Sequence, residues 1–217
     1  MIKTYIRHVD DNIKLSPSFH VREFACKDGS NVVIIDDALV AFLQRIRNWA
    51  GAPIIISSGY RTKAHNSAIG GATNSYHVQG RAADIYVKDR KKTIKQIARY
   101  AQAIGVKGIE VNEDSNYVHI DTRLNKYYWI RRNGRNITVT NFWTCPYTEP
   151  SDTLRNGSSG NGVKWLQLWL NLWGYGIAVD GKYGKKTEDA VKDVQARCGL
   201  TVDGIVGKKT RAALKGY

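Results

Sequence analysis

The chain has 217 residues, enough for one large domain or two smaller ones. With 42% hydrophobic and 24% charged residues, 20 Gly and only 4 Pro, it is too apolar for disorder and carries no collagen-like or low-complexity bias. A formal net charge of +14 points to a polyanionic partner such as nucleic acid, anionic lipid or an acidic wall polymer, without choosing among them.

No run approaches the ~20 apolar residues of a membrane helix, and the opening MIKTYIRHVDDNIKL has no apolar stretch suited to a secretory signal. The expectation is a soluble monomer made in the cytoplasm, with no membrane insertion. Cys26, Cys145 and Cys198 form an odd set without C-x-x-C spacing, which argues against a disulfide framework or a cysteine metal knuckle.

In chain order, Asp36 or Asp37 starts a helix in which Leu39, Phe42, Leu43 and Ile46 follow the i, i+3, i+4, i+7 pattern, and Gly51 ends it. PIIIS then reads as a buried strand, followed by a polar, Gly-rich loop from Ser58 to Gly80. RAADIYV is the next strand, a helix spans about Lys92 to Ile104, and strands follow at GIEV and YVHID. Asn133-Gly134 between two β-rich arms predicts a hairpin. The composite is an α+β domain with a small antiparallel sheet and flanking helices.

From Pro146 to Asn161 the composition is that of a linker. GVKWLQLWLNLWG then predicts a helix with one narrow polar stripe of Lys164, Gln167 and Asn171. VDGKYGKKTEDAVK, from Val179, recurs as VDGIVGKKTRAALK, from Val202, so Thr187 and Thr210 are expected to cap two short helices. The predicted organisation is a first domain over 1–145 (core 14–123, hairpin 124–143), a linker over 146–152, and an all-α three-helix domain over 153–217.

Three potential metal ligands stand out: His77 and Asp84 in SYHVQGRAAD, and His119 in NYVHID. Two imidazoles and one carboxylate suit a catalytic zinc that keeps a position for water. Gly80 lets the chain turn between His77 and the strand carrying Asp84, and strand alternation puts the small Ala82 on the same face as Asp84. Asp121 shares a face with His119, where it can hold that imidazole or take a proton from water.

S-x-H-x-x-G-x-A-x-D, met at Ser75, His77, Gly80, Ala82 and Asp84, resembles the motif of the zinc D-alanyl-D-alanine carboxypeptidase and L-alanyl-D-glutamate endopeptidase family. The resemblance runs through SPSFHVREFAC, SSGYRTKAHNSAIGG and VHID, over about residues 14–123. It implies that His77, Asp84 and His119 bind one Zn2+, that Ser75 lies at the substrate site, and that Arg61 faces substrate, its guanidinium suited to a carboxylate or oxyanion. Several branches place an acidic base three residues before the last ligand, where this chain has Asn116. Other members carry the H-x-D ending seen here, so Asp121 is favoured for proton transfer or for support of the His119 ring, with Glu110 and Asp114 as alternative bases.

Residues 153–214 resemble the three-helix peptidoglycan-binding domain of wall hydrolases. Trp165, Trp169 and Trp173 recur at four-residue spacing, a stripe that reads first as hydrophobic core; in so small a unit some of it must lie near the surface, which makes Trp169 and Trp173 candidates for contact with the wall or with the first domain. Together the resemblances imply a peptidoglycan peptidase of the phage or prophage endolysin type, reaching the bacterial wall through a membrane pore. A bacterial autolysin or D,D-carboxypeptidase, and a non-catalytic zinc-containing wall-binding protein, are the alternatives. Specific nucleic-acid binding has only the net charge in its favour, since no recognised motif for it occurs in the chain.

Overall fold

The structure, a computed structural model, describes residues 1–215 and divides into two compact units, Met1–Phe142 and Trp143–Tyr217. The division falls slightly upstream of the expected break after residue 145. Trp143 packs edge-on against Trp169 at 5.1 Å, and Glu149 pairs with Lys215 at 2.7 Å, so the segment with linker composition is packed within the second unit.

In the first unit, β1 (Ile2–Ile6) pairs antiparallel with β4 (Val32–Asp36), and β2 (Lys14–Ser16) with β3 (Phe19–His20). Helix α1 (Asp37–Ala50) starts where the Asp36 carboxylate accepts from the Ala38 N–H and stops at Gly51, whose φ of 61° lets the chain leave in the left-handed conformation. After β5 (Ile54–Ser58), the polar loop contains a short helix, α2 (Lys63–Ala68), capped by Thr62. Then come β6 (Ala82–Val87), α3 (Ile94–Ala103), β7 (Gly108–Asn112), β8 (Tyr117–Asp121), β9 (Tyr127–Arg132) and β10 (Arg135–Val139).

The main sheet has six strands in the order β10-β9-β7-β8-β6-β5. It is mixed rather than antiparallel, because β9 runs parallel to β7. The cause is topological. β8 is flanked by β6 and β7, so the returning chain cannot pair with β8 itself; it joins beside β7, antiparallel to β8 and hence parallel to β7.

One face of this sheet presents Ile85, Val87, Ile109, Val111, Val118 and Ile120, all at most 1% exposed. Helix α1 packs against β5 and β6, and α3 against β7 and β8. Between the helices, the rings of Trp49 and Tyr100 stack at 4.5 Å. Each fully buried Ile or Val contributes roughly 1.5–3 kcal/mol relative to exposure. The apolar face thereby fixes the sheet, and the polar residues that alternate with it all project from the opposite face.

Gly80 is tied into this frame. Its φ is +69°, and a Cβ there would lie 2.3 Å from the Ile34 carbonyl oxygen. Gly80→Ala is expected to cost about 2–4 kcal/mol, from left-handed strain plus displacement of β4. Chemical denaturation would show the loss; an unchanged midpoint would contradict this reading.

The second unit contains α4 (Asn161–Trp173), α5 (Lys185–Arg197) and α6 (Lys208–Leu214). Helices α5 and α6 begin earlier than the repeat suggested, with Gly184 and Gly207 as N-caps, while Thr187 and Thr210 are buried in the first turn. Two glutamines explain the repeat. Gln167 donates to Asp180 and to the Lys182 carbonyl and accepts from Gly181 N–H, and Gln195 does the same with Asp203, Ile205 and Gly204. Each Asp-Gly turn is thus bound by a buried amide whose donors and acceptor are satisfied.

Trp169 and Trp173 lie in the core, as the first reading of the stripe has it, and not at a surface open to the wall: they are 4% and 3% exposed, and Trp173 Nε1 donates to the Leu214 carbonyl. The wide apolar face of α4 needs burial more than its narrow polar stripe suggested, because Gln167 and Asn171 face the adjoining turns rather than solvent. Among the described residues no helix is long and apolar enough to cross a membrane.

Candidate metal centre

The polar face of the sheet carries the site as two cross-strand rows. Asp84 on β6, His119 on β8, Glu110 on β7 and Trp129 on β9 are successive Cα partners. Directly opposed residues share a face, so these four side chains stand side by side. Ser58 extends the row on β5, beyond an irregularity in register. The neighbouring row is Ala82, Asp121, Gly108 and Tyr127. Its small members make room for Asp121: a Cβ on Gly108 would lie 2.1 Å from Asp121 Oδ1.

His77 reaches this row from the loop preceding β6. Its Nε2 lies 3.2 Å from Asp84 Oδ1 and 3.1 Å from His119 Nδ1, and His119 Nδ1 is 2.9 Å from Asp84 Oδ1. All three side chains are buried, and the ligand atoms converge within 4.8 Å of one another.

The outer hydrogen bonds identify what the cluster is built to hold. His77 Nδ1 lies 2.7 Å from the Gly59 carbonyl oxygen, which can only accept, so Nδ1 bears the hydrogen and Nε2 of the neutral ring presents a lone pair. His119 Nε2 lies 3.1 Å from Asp121 Oδ2, and Arg123 Nε donates to the same carboxylate at 2.8 Å, keeping it ionised. Nε2 of His119 therefore bears the hydrogen, and Nδ1 turns a lone pair inward. Two nitrogen lone pairs and a carboxylate oxygen then face one another with no donor between them, an arrangement that repels unless a cation joins it. The donor set fits a divalent transition metal.

Electrostatics agree. Burial opposes charge on Asp84, but His77 and His119 hold its carboxyl well below the usual carboxylate range. Burial alone would lower His119, yet its hydrogen bonds to Asp121 and Asp84 push it up to about 9, because a charge on the ring is shared with two carboxylates. Burial lowers His77.

The other predicted residues separate into those that join the centre and those that do not. Arg61 pairs with Asp84 Oδ2 at 2.5 Å and donates through Nε to Ser58 at 2.8 Å, so its guanidinium lies against a ligand. Ser75 Oγ accepts from His77 N–H at 3.3 Å and shapes the turn that aims the ring. Glu110 stands beside His119, accepts from Asn112 Nδ2 at 2.9 Å, and has its carboxyl raised by burial. Asp114 accepts from the N–H groups of Asn133 and Gly134 and thereby caps the β9–β10 hairpin. Asn116 has φ 54° in the turn before β8, a conformation that Asn tolerates well. That position therefore belongs to a turn and not to the row.

Two neighbours were missed from the sequence. Tyr117, two residues before His119 and hence on the same face, is kept protonated by burial and by the charges of Asp84 and Glu110. Arg123 clamps Asp121. Strand alternation extended beyond His119 in both directions would have found them.

Residues 17–121 match the family model of Peptidase M15, and residues 159–214 match that of the putative peptidoglycan binding domain. The chain thus carries a segment that matches Peptidase M15 and, after it, one that matches the putative peptidoglycan binding domain. Among solved structures it is similar to a fused Zn-dependent amidase/peptidase/peptidoglycan-binding domain-containing protein from Clostridium acetobutylicum, at 40% identity over 30% of this chain and 29% of that one, TM-score 0.29. It is similar to the endolysin of Burkholderia phage AP3 at 45% identity, over 29% and 24% of the two chains, TM-score 0.28. It is also similar to the SleB N-terminal domain at 37% identity, over 31% of this chain and 93% of that one, TM-score 0.30. The chain therefore spans less than a third of the first two. No curated protein matches it.

Proposed function

We propose that the chain is a zinc peptidase that hydrolyses the peptide stems of bacterial peptidoglycan, with its second unit holding it on the wall. The observation that carries this reading is the convergence of His77 Nε2, His119 Nδ1 and Asp84 Oδ1, with both histidine tautomers set by outer hydrogen bonds. These three residues would hold the ion. When bound, zinc supplies a Lewis acid that polarises the scissile carbonyl and lowers the pKa of water towards ~7.

The remaining steps belong to the chain's own side chains. Glu110 accepts the proton of the attacking water and returns it to the leaving amine; its raised pKa brings it closer to the neutral range suited to both tasks. Asp121, anchored by Arg123, holds the His119 tautomer and makes the ring a better donor. Arg61 neutralises the outer oxygen of Asp84. Tyr117 offers an uncharged O–H for the developing oxyanion.

A peptidase unit joined to a wall-binding unit fits a phage or prophage endolysin; an autolysin of the same family is the alternative. In either case the basic charge favours accumulation on anionic wall polymers. Purified peptidoglycan incubated with the zinc-loaded chain is expected to release new amino termini, and mass spectrometry of the stems would identify the bond. Wall binding without new termini would favour the non-catalytic alternative.

A further inference from the structure

A cavity of about 430 Å³ in the first unit is lined by Tyr76, Arg81, Arg123, Leu124, Asn125, Lys126 and Tyr127. It lies one side chain from the metal centre: Tyr76 precedes His77, and the guanidinium of Arg123 holds Asp121, which holds His119. The Trp129 ring spans the same gap, 5.6 Å from the His119 ring and 5.3 Å from the Arg123 guanidinium carbon.

The charge in this cavity is one-sided. Three cations line it, and no carboxylate does among the described residues. The guanidinium carbons of Arg81 and Arg123 sit 5.3 and 4.9 Å from the centre of the one Tyr76 ring, so both cations are tied to the same wall of the cavity. Asp121 partly offsets Arg123. Arg81 hydrogen-bonds to Thr122 and approaches Asp36 only to 3.8 Å, while that carboxylate also lies 3.6 Å from the terminal amine. The aromatic walls set by Tyr76 and Tyr127 orient the cations while leaving their remaining N–H donors for a guest.

We infer that this cavity is a carboxylate subsite, which seats a free carboxylate of the peptide substrate and so selects acidic stems. The inference rests on the peptidase reading for the identity of the guest and on the cavity alone for its charge. A carboxylate in the cavity offsets the positive charge that lines it and gains charge-assisted hydrogen bonds, whereas a neutral amide offsets nothing.

The test uses the full zinc-loaded chain and two probes, both with the lysine carboxyl amidated: L-alanyl-γ-D-glutamyl-L-lysine amide with the glutamyl α-carboxylate free, and the same peptide with that group amidated as well. Calorimetric titration is expected to give at least about tenfold tighter binding of the acid form. Lys126→Glu and Arg81→Gln should each bring the ratio towards one, and with longer cleavable stems should raise KM for the acid form while leaving kcat near its original value. Equal binding of both probes by the unaltered chain, or an undiminished preference in both variants, would overturn the subsite. Cleavage without discrimination sinks the subsite alone; discrimination without cleavage of any stem sinks the peptidase reading and leaves the subsite standing.

Discussion

His77→Ala is expected to abolish high-affinity zinc binding and to lower wall hydrolysis by on the order of a thousandfold or more, equivalent to about 4 kcal/mol of transition-state stabilisation. The ring supplies one of three converging donors, and its other nitrogen satisfies the Gly59 carbonyl, so truncation removes a ligand and also leaves a backbone acceptor without its partner. Chelation of the unaltered chain should produce the same loss, reversed by added zinc; the variant should not recover. Thermal unfolding gives a second readout, because an ion that binds only the folded chain raises the midpoint by mass action. Hydrolysis that survived in a zinc-free His77→Ala protein would disprove the role assigned to this centre.

The second large effect separates two buried carboxylates. Glu110→Gln is expected to keep zinc but reduce kcat by about 10²–10⁴, the range for loss of a positioned general base. The amide is nearly isosteric and still accepts from Asn112, so the fold has little reason to change. Asp121→Asn should act differently, weakening zinc affinity by about 10–100-fold through the tautomer of His119, with much of the rate restored at saturating metal. Stopped metal titrations combined with kcat measurements on both variants distinguish the pair. If Asp121→Asn lost kcat at full zinc occupancy while Glu110→Gln did not, the two roles would have to be exchanged.

On the proposed reading Glu110 serves as the base and Asp121 supports His119, the second of the two roles its spacing allowed. Asp121 touches the side of His119 that points away from Asp84, and its charge is spent on Arg123 and the imidazole, so it is poorly placed to receive a proton from water. Spacing along β8 establishes only that Asp121 and His119 share a face. Which imidazole nitrogen meets the carboxylate depends on ring rotation, and that is set by neighbouring strands. Glu110 lies on another strand, and its place beside His119 follows from the β7–β8 register, which no local pattern specifies.

What the sequence determined by itself is local. The Asp36 cap and the Gly51 stop are readable because they are backbone requirements of a few adjacent residues, and the candidate ligands His77 and Asp84 are readable because their types and short spacing constrain one strand and its preceding turn. The tertiary structure decided everything that depends on a partner distant in the chain. It made the sheet mixed, by filling both sides of β8 so that β9 joined beside β7; it drew Glu110 and Trp129 into line with His119; and it turned Trp169 and Trp173 inward. The physical reason is the same in each case: alternation and helical periodicity say which residues face together, while the competition among elements for edges and apolar cover settles what they face.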